Sequence, residues 1–320
     1  MQWFAQAPAN IALIKYMGKK DPEKNIPSNP SLSYSLDNLL TSVTLEEHDG
    51  TTDFWEPLTT SGAQPFNLTP AAQTRFLNHL ARLKAHFNYT GSHYSGSFIV
   101  RSNNNFPHSS GLASSASSFA ALTKCASLAL SELTHSALPS IETQAALSRQ
   151  GSGSSCRSFF SPWALWDDES VTAIQLPYMQ LAHEVILINQ DEKKVSSSEA
   201  HRRIITSPNY AERTHRAREN LTLLLNALNT QNWAEAYQIC WREFQDMHQL
   251  FSTCENAFSY MTEHSNNALK LIQDLWSRNG DGPIVTMDAG PNIHLLYRPD
   301  QAQMAIQFKK DHLEGQYELL

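Results

Sequence analysis

The chain has 320 residues, enough for a large core and, at roughly 150 residues per domain, for two lobes or one big mixed unit. Apolar residues make up 41% and charged residues 17%, the balance of a packed globular protein, which excludes a disordered or collagen-like chain. The net charge is −7 and no long block of Lys and Arg occurs, so nucleic acid is not expected as a partner, although local N–H groups and a few cations can still hold an anionic ligand.

In chain order, β-branched runs predict strands at Ile11 to Tyr16 and Ser42 to His48. Thr69-Pro70 then supplies an N-cap and a first-turn proline for a helix in which Phe76, Leu77, Leu80, Leu83 and Phe87 recur at helical spacing. A strand is expected at Ser97 to Arg101, followed by an alanine-rich helix after Gly111, and further strands at Glu184 to Asn189, Ile284 to Met287, Ile293 to Tyr297 and Met304 to Phe308. Trp233, Ala236, Tyr237, Cys240, Trp241, Phe244, Met247 and Phe251 form a core-facing helical stripe. Another helix runs from Asn267 to Ser277 and stops at Asn279-Gly280. Strands and helices without strict βαβ alternation, and without a solenoid repeat, predict an α+β fold. Polar segments at Asp167 to Pro177 and Gln190 to Pro208 read as linkers or active-site loops, which puts the domain divide near residue 180 and gives units 1–180 and 181–320.

The four cysteines, Cys125, Cys156, Cys240 and Cys254, show no C-x-x-C pairing and fit a reducing compartment. Met1 to Lys20 lacks a signal-peptide pattern, and no apolar run approaches the roughly 18 residues needed to span a bilayer. A cytoplasmic protein without membrane contact is the expectation. The histidines are scattered without H-E-x-x-H or Cys/His clustering, so no dedicated metal cage is expected.

Four segments carry chemistry. Pro107-His108-Ser109-Ser110-Gly111-Leu112-Ala113-Ser114-Ser115-Ala116-Ser117 leads a Gly/Ser turn into a helix, and unpaired first-turn N–H groups there can cradle phosphate; an ordinary serine-rich cap is the equal alternative. Lys15, Tyr16 and Lys19 straddle a strand end before Gly18, where they face either a phosphate-bearing substrate or only solvent. Arg149 to Arg157 packs two glycines and three serines ahead of a guanidinium able to grip a carboxylate bidentately, and its apolar flanks favour a fixed loop over a tether. Val285-Thr286-Met287-Asp288-Ala289-Gly290-Pro291-Asn292 delivers an acid from an apolar strand into a turn. That acid is either paired or working, or it merely caps its own backbone in an Asx-turn.

Together, A-P-A-N-I-A-L-I-K-Y-M-G-K (Ala7 to Lys19), N-N-F-P-H-S-S-G-L-A-S-S-A-S (Asn104 to Ser117), S-R-Q-G-S-G-S-S-C-R-S (Ser148 to Ser158), K-K-V-S-S (Lys193 to Ser197) and D-A-G-P-N (Asp288 to Asn292) resemble the GHMP kinase superfamily and, within it, the diphosphomevalonate decarboxylases. The resemblance spans nearly the whole chain and implies a two-lobed GHMP kinase-like fold. It also implies ATP-dependent decarboxylation of mevalonate diphosphate to isopentenyl diphosphate, with ATP as co-substrate, Mg2+ as cofactor and a homodimer as the assembly.

By the same resemblance, Asp288 is the catalytic carboxylate, Lys15 keeps it ionised, and Arg157 clamps the substrate carboxylate. Tyr16, Lys19, Arg75, Ser152 and Ser154 would hold the diphosphate, with Asn10, Met17, Gly18, Ser31, Ser33, Gly153, Ser155, Cys156 and Ser198 lining the same cleft. Pro107, Ser109, Ser110, Gly111, Leu112, Ala113, Ser114, Ser115 and Ser117 would wrap the ATP phosphates. Two departures stand out: Met17 occupies a position where the family usually has tryptophan, and Ser198-Glu199-Ala200-His201 follows K-K-V-S-S where Gly-Met is usual after a polar residue. Competing readings are a superfamily kinase or decarboxylase acting on mevalonate or its monophosphate, and a nucleotide-binding module without catalysis.

Overall fold

The computed structural model describes the whole chain apart from residues 60–66, 91–92, 107–113 and 190–193. In chain order the elements are β1 (Gln2–Ile14), β2 (Lys19–Asp21), β3 (Ile26–Pro27), β4 (Ser31–His48), β5 (Phe54–Pro57), α1 (Pro70–Thr90), β6 (Ser97–Asn104), α2 (Ser114–Leu133) and α3 (Ile141–Gly151). They continue as β7 (Trp163–Asp167), β8 (Ser170–Ala173), β9 (Ala182–Leu187), α4 (Ser197–Arg203), α5 (Arg213–Asn229), α6 (Trp233–Thr253), α7 (Glu263–Asn279), β10 (Ile284–Met287), β11 (Ile293–Tyr297), α8 (Ala302–Phe308) and β12 (Glu318–Leu319).

The long strand β4 organises the first sheet. Along one edge it pairs antiparallel with β1, and along the other its two halves take different partners, β7 against Ser31–Tyr34 and β6 against Thr41–His48. Pro8 cannot donate to a ladder, and the β1–β4 register slips between Pro8 and Ala9, so the proline falls at a bulge. β5 adds to β6, and β8 closes a hairpin on β7. One face of this sheet takes the apolar stripes of α1 and α2, with Leu80, Leu83, Phe87, Phe119 and Leu130 meeting Val43, Leu45, Phe98 and Val100.

The second sheet has the order β10-β11-β9-β12, antiparallel throughout. Its core joins Val185, Leu295 and Val285 to Leu224, Phe244 and Ile272 of α5, α6 and α7, and also includes Ile11, Leu13 and Leu32 from the first sheet. The two sheets therefore share one apolar interior. Helix ends are set by local chemistry: Asn232 caps α6, Thr262 and Ser265 form a capping box on α7, and Gly280 ends α7 with a φ of 65°. These elements make the expected α+β molecule, with two sheets each backed by helices.

The strand expected at Met304 to Phe308 is a helix instead. Met304, Ile306 and Phe308 alternate like a strand, but Ile306 is exposed and burial falls at Gln301 and Phe308, a helical period on a helix whose entry Arg298 and Pro299 set. Both polar segments expected as linkers or loops contain structure: Asp167 to Pro177 holds β8, and Gln190 to Pro208 holds α4. Among the described residues, no helix is long and apolar enough to cross a membrane.

Candidate active site

A cavity of roughly 730 Å3 opens where the two sheets meet. Its walls are the chain leaving β1, the polar face of α1, the start of α2, the junction after α3, the start of α4 and the turn after β10. Lys15, Tyr16, Met17, Lys19, Arg75, Ser114, Ser115, Ser152, Gly153, Ser154, Arg157, Ser198 and Asp288 all line it.

The first cluster in this cavity is a set of paired charges. Lys15 Nζ meets Asp288 Oδ1 at 2.7 Å, with the lysine side chain 1% exposed and the aspartate 30%. Burial lowers the Lys15 pKa below the ordinary lysine value, and Asp288 opposes that shift. Burial alone would raise the Asp288 carboxyl, but Lys15, His294 and Arg157 outweigh it and hold the acid below the usual range. The Asp288 carboxylate pairs with Lys15, while its backbone carbonyl accepts from Gly290 N–H and from His248 Nε2. The carboxylate is thus paired, not spent on local backbone as an Asx-turn would require.

Arg157 is buried, donating from Nε to Asn10 Oδ1 at 3.1 Å and from Nη1 to Ser31 Oγ at 2.7 Å. Asn10 is itself held by Ser158 Oγ and the Ser154 carbonyl. Neutral partners thus fix the guanidinium, and its charge remains available to an anion.

Lys15 is anchored through its backbone. Glu243 Oε1 accepts the Lys15 N–H at 3.0 Å, while Arg213 Nη2 and Asn29 Nδ2 donate to the Lys15 carbonyl at 3.1 and 2.9 Å. Arg213 and Glu243 are fully buried and paired with each other; Asp246 accepts a further bond from Arg213 Nη1 and Asn220 donates to Glu243, while Arg213 Nε has no hydrogen-bond partner among the described residues. Such a buried pair is tolerable because most of its donors and acceptors are bonded.

The second cluster holds its charges differently. Lys19 Nζ donates to Asn25 Oδ1 at 2.6 Å, and Arg75 Nη2 donates to the Gly151 carbonyl at 2.8 Å. Tyr16 packs on Trp166 at 4.6 Å, and its hydroxyl is buried without a hydrogen-bond partner among the described residues. A Cβ on Gly153 would lie 2.6 Å from that hydroxyl, so only glycine fits beside it. Ser152 Oγ reaches Ser115 Oγ at 3.3 Å and Ser154 Oγ at 3.5 Å, linking this cluster to the first turn of α2.

Comparison with known proteins places the chain. Residues 7–175 match the family described as diphosphomevalonate decarboxylase-like N-terminal domain, and residues 184–318 match the mevalonate 5-diphosphate decarboxylase C-terminal domain. The chain belongs to the diphosphomevalonate decarboxylase family. It is similar to the diphosphomevalonate decarboxylase of Gibberella zeae, at 30% identity over 97% of this chain and 84% of that one. Among solved structures, a mevalonate diphosphate decarboxylase from Legionella pneumophila superposes with a TM-score of 0.93 at 61% identity, covering 100% of both chains. MDDEF in complex with MVAPP, AMPPCP and magnesium gives a TM-score of 0.86 at 28% identity, covering 100% of this chain and 96% of that one.

Several residues expected from the diphosphomevalonate decarboxylase resemblance stand behind the cavity wall. Asn10 and Ser31 orient Arg157, Ser155 bonds Ser148 Oγ and the Ser152 carbonyl, and Cys156 and Ser33 are buried. Ser117 turns inward to Thr41 Oγ1 at 2.6 Å. Gly18 has a φ of 105° and packs on Ser28 and Tyr210. Pro107, Ser109, Ser110, Gly111, Leu112 and Ala113 lie outside the described residues. The motifs missed Asn25, Asn78, Arg82, Gln150 and His201, all of which line the cavity. Arg75, Asn78 and Arg82 at i, i+3 and i+7 form a polar helical stripe that periodicity could have exposed.

Proposed function

We propose that the Lys15–Asp288 pair, with Arg157 beside it, is the reaction centre of this decarboxylase. The enzyme converts (R)-5-diphosphomevalonate and ATP to isopentenyl diphosphate, ADP, phosphate and CO2, the step of isoprenoid biosynthesis that its family performs. The observation carrying the assignment is the 2.7 Å ion pair itself, a carboxylate held ionised at the wall of a cleft large enough for two substrates.

In this reading Asp288 accepts the proton of the 3-hydroxyl as that oxygen takes the γ-phosphoryl group from ATP. Lys15 keeps Asp288 ionised and offsets charge on the transferring phosphoryl. Phosphorylation makes a poor leaving group into a good one. The departing phosphate carries off the proton that Asp288 took, and the positive character at C3 then faces the re-ionised Asp288 carboxylate. Arg157 orients the C1 carboxylate, whose C–C bonding electrons become the new double bond as CO2 leaves.

ATP binds as the Mg2+ complex. Ser114 and Ser115 open α2 and offer hydroxyls and first-turn N–H groups to its phosphates. Among the described residues, no three His, Cys, Asp or Glu side chains gather into a metal site. That donor set suits an ion carried largely by phosphate oxygens and water, neutralising charge on the phosphoryl groups. Tyr16, Lys19, Arg75, Ser152 and Ser154 bind the substrate diphosphate. The chain divides near residue 180, an assignment supported by family matches ending at 175 and restarting at 184, and by β8 and β9 belonging to different sheets. A cytoplasmic homodimer completes the reading. Four free, buried cysteines are in keeping with that location, and light scattering of the purified protein checks the dimer.

Incubation with MgATP and mevalonate diphosphate tests the assignment. CO2, ADP and phosphate are expected in equal amounts from the wild type; ADP without CO2 would identify a kinase of the same superfamily.

A further inference from the structure

His201 lies on α4, in the stretch where the chain departs from its family's usual pattern. Its ring packs against Tyr16, with centroids 4.5 Å apart, and it lines the cavity. Nδ1 accepts the Gly18 N–H at 3.0 Å. A ring nitrogen that accepts carries no proton, so in the neutral imidazole the proton sits on Nε2.

That tautomer is locked from both sides. Gly18 has a φ of 105°, and a Cβ there would lie 2.4 Å from Ser28 Oγ and 2.6 Å from the Tyr210 hydroxyl, so the backbone aiming its N–H at the ring is fixed. The groups facing the ring are Lys19, whose ammonium repels a second positive charge, and the Tyr16 phenol. On its own helix, Glu199 is occupied by Arg202 and Arg203. Burial and Lys19 push the His201 pKa down to about 3, so the ring stays neutral at physiological pH.

We propose that His201 binds the substrate diphosphate as a neutral donor, its Nε2–H bonding to a phosphoryl oxygen beside Lys19. Lys19 and Arg75 already supply positive charge, so a neutral donor adds direction without further repulsion between cations. The inference rests on the diphosphate-binding role proposed above for Tyr16 and Lys19. It also goes further, because it makes an unprotonated Nδ1 a condition of recognition. Gly18 and Tyr16 then act in part through the imidazole that they orient.

Three variants separate the two ring nitrogens. Asn at 201 can mimic the Nδ1 acceptor, and Gln can place an amide N–H near the Nε2 position. His201→Asn is expected to raise KM for mevalonate diphosphate about tenfold, the order for one hydrogen bond to a charged group. It should change kcat less than about threefold and leave KM for ATP unaltered. His201→Gln should recover part of that loss, and His201→Phe, which keeps only the stack, should resemble His201→Asn. An unchanged KM in His201→Asn, or a loss confined to kcat, overturns the proposal.

A measurement on the wild type is independent of turnover and of variant folding. The His201 ring nitrogens, observed by 15N NMR, should report an Nε2–H tautomer that does not titrate between pH 5.5 and 8.5. Inorganic pyrophosphate should shift the Nε2 signal. Titration near the ordinary histidine value, or no response to pyrophosphate, refutes the role even if decarboxylation is confirmed. Failure to decarboxylate with a normal pyrophosphate response would instead fault the functional reading.

Discussion

The two clusters in the cavity use charge in opposite ways. Around Lys15 and Asp288 the charges neutralise one another, and their backbones are held by buried groups from α5 and α6. Around Lys19 and Arg75 the cations are held by a side-chain amide and a backbone carbonyl, and among the described residues no carboxylate pairs with them. A reacting group needs its protonation state fixed before substrate arrives, whereas a recognition group must remain electrostatically unsatisfied until then. Changes in the first cluster should therefore act on kcat, and changes in the second on KM.

The largest expected effect is that of Asp288→Asn, which preserves shape and removes the charge. Single-turnover measurements should show kcat reduced on the order of 10³-fold or more, with substrate affinity little altered. A loss under tenfold would break the distinction between the clusters. Next comes Arg213→Met, which leaves Glu243 buried without its main partner and should cost about 3–5 kcal/mol in urea unfolding. The Arg213→Met/Glu243→Leu double variant should recover most of that stability but not kcat, because Lys15 still lacks two of its three backbone bonds and keeps only that from Asn29.

Gly153→Ala drives a methyl group toward the Tyr16 hydroxyl and should raise KM for the diphosphate substrate roughly tenfold while sparing kcat. The smallest effect is in the pH profile. A lowered Asp288 pKa means the carboxylate loses its proton at lower pH than usual, so the acid limb of kcat should fall below the ordinary carboxyl range. A lowered Lys15 pKa means the ammonium is lost earlier on the alkaline side, and Lys15→Arg should move that limb upward.

Much of this arrangement was legible because its chemistry is local. Ile284 to Met287 and Ile293 to Tyr297 are apolar runs broken only by Thr286 and His294, and both are strands as expected. Asp288 drew notice as an acid at the end of such a run. Its partner was not visible from local chemistry, since Lys15 lies 273 positions away and the pair forms only after both sheets assemble. His201 gave no local signal either: within Glu-Ala-His-Arg-Arg it is an unremarkable helical histidine, and only the N–H of Gly18, 183 positions earlier, defines its tautomer. The stripe on α6 was read slightly rotated. Tyr237 and Trp241 sit at its rim, while Ile239, Glu243 and Leu250 are buried, and a lone acid beside an apolar stripe was the available hint of the Arg213 pair.

The position of the Lys15–Asp288 pair has one more consequence. Lys15 follows β1 of the first sheet and Asp288 follows β10 of the second, so neither half of the chain contains a working centre. Ile11 and Leu13, which lead the chain to Lys15, pack with Val185, Val285 and Leu295 of the second sheet, so the ion pair forms only when the two sheets have docked.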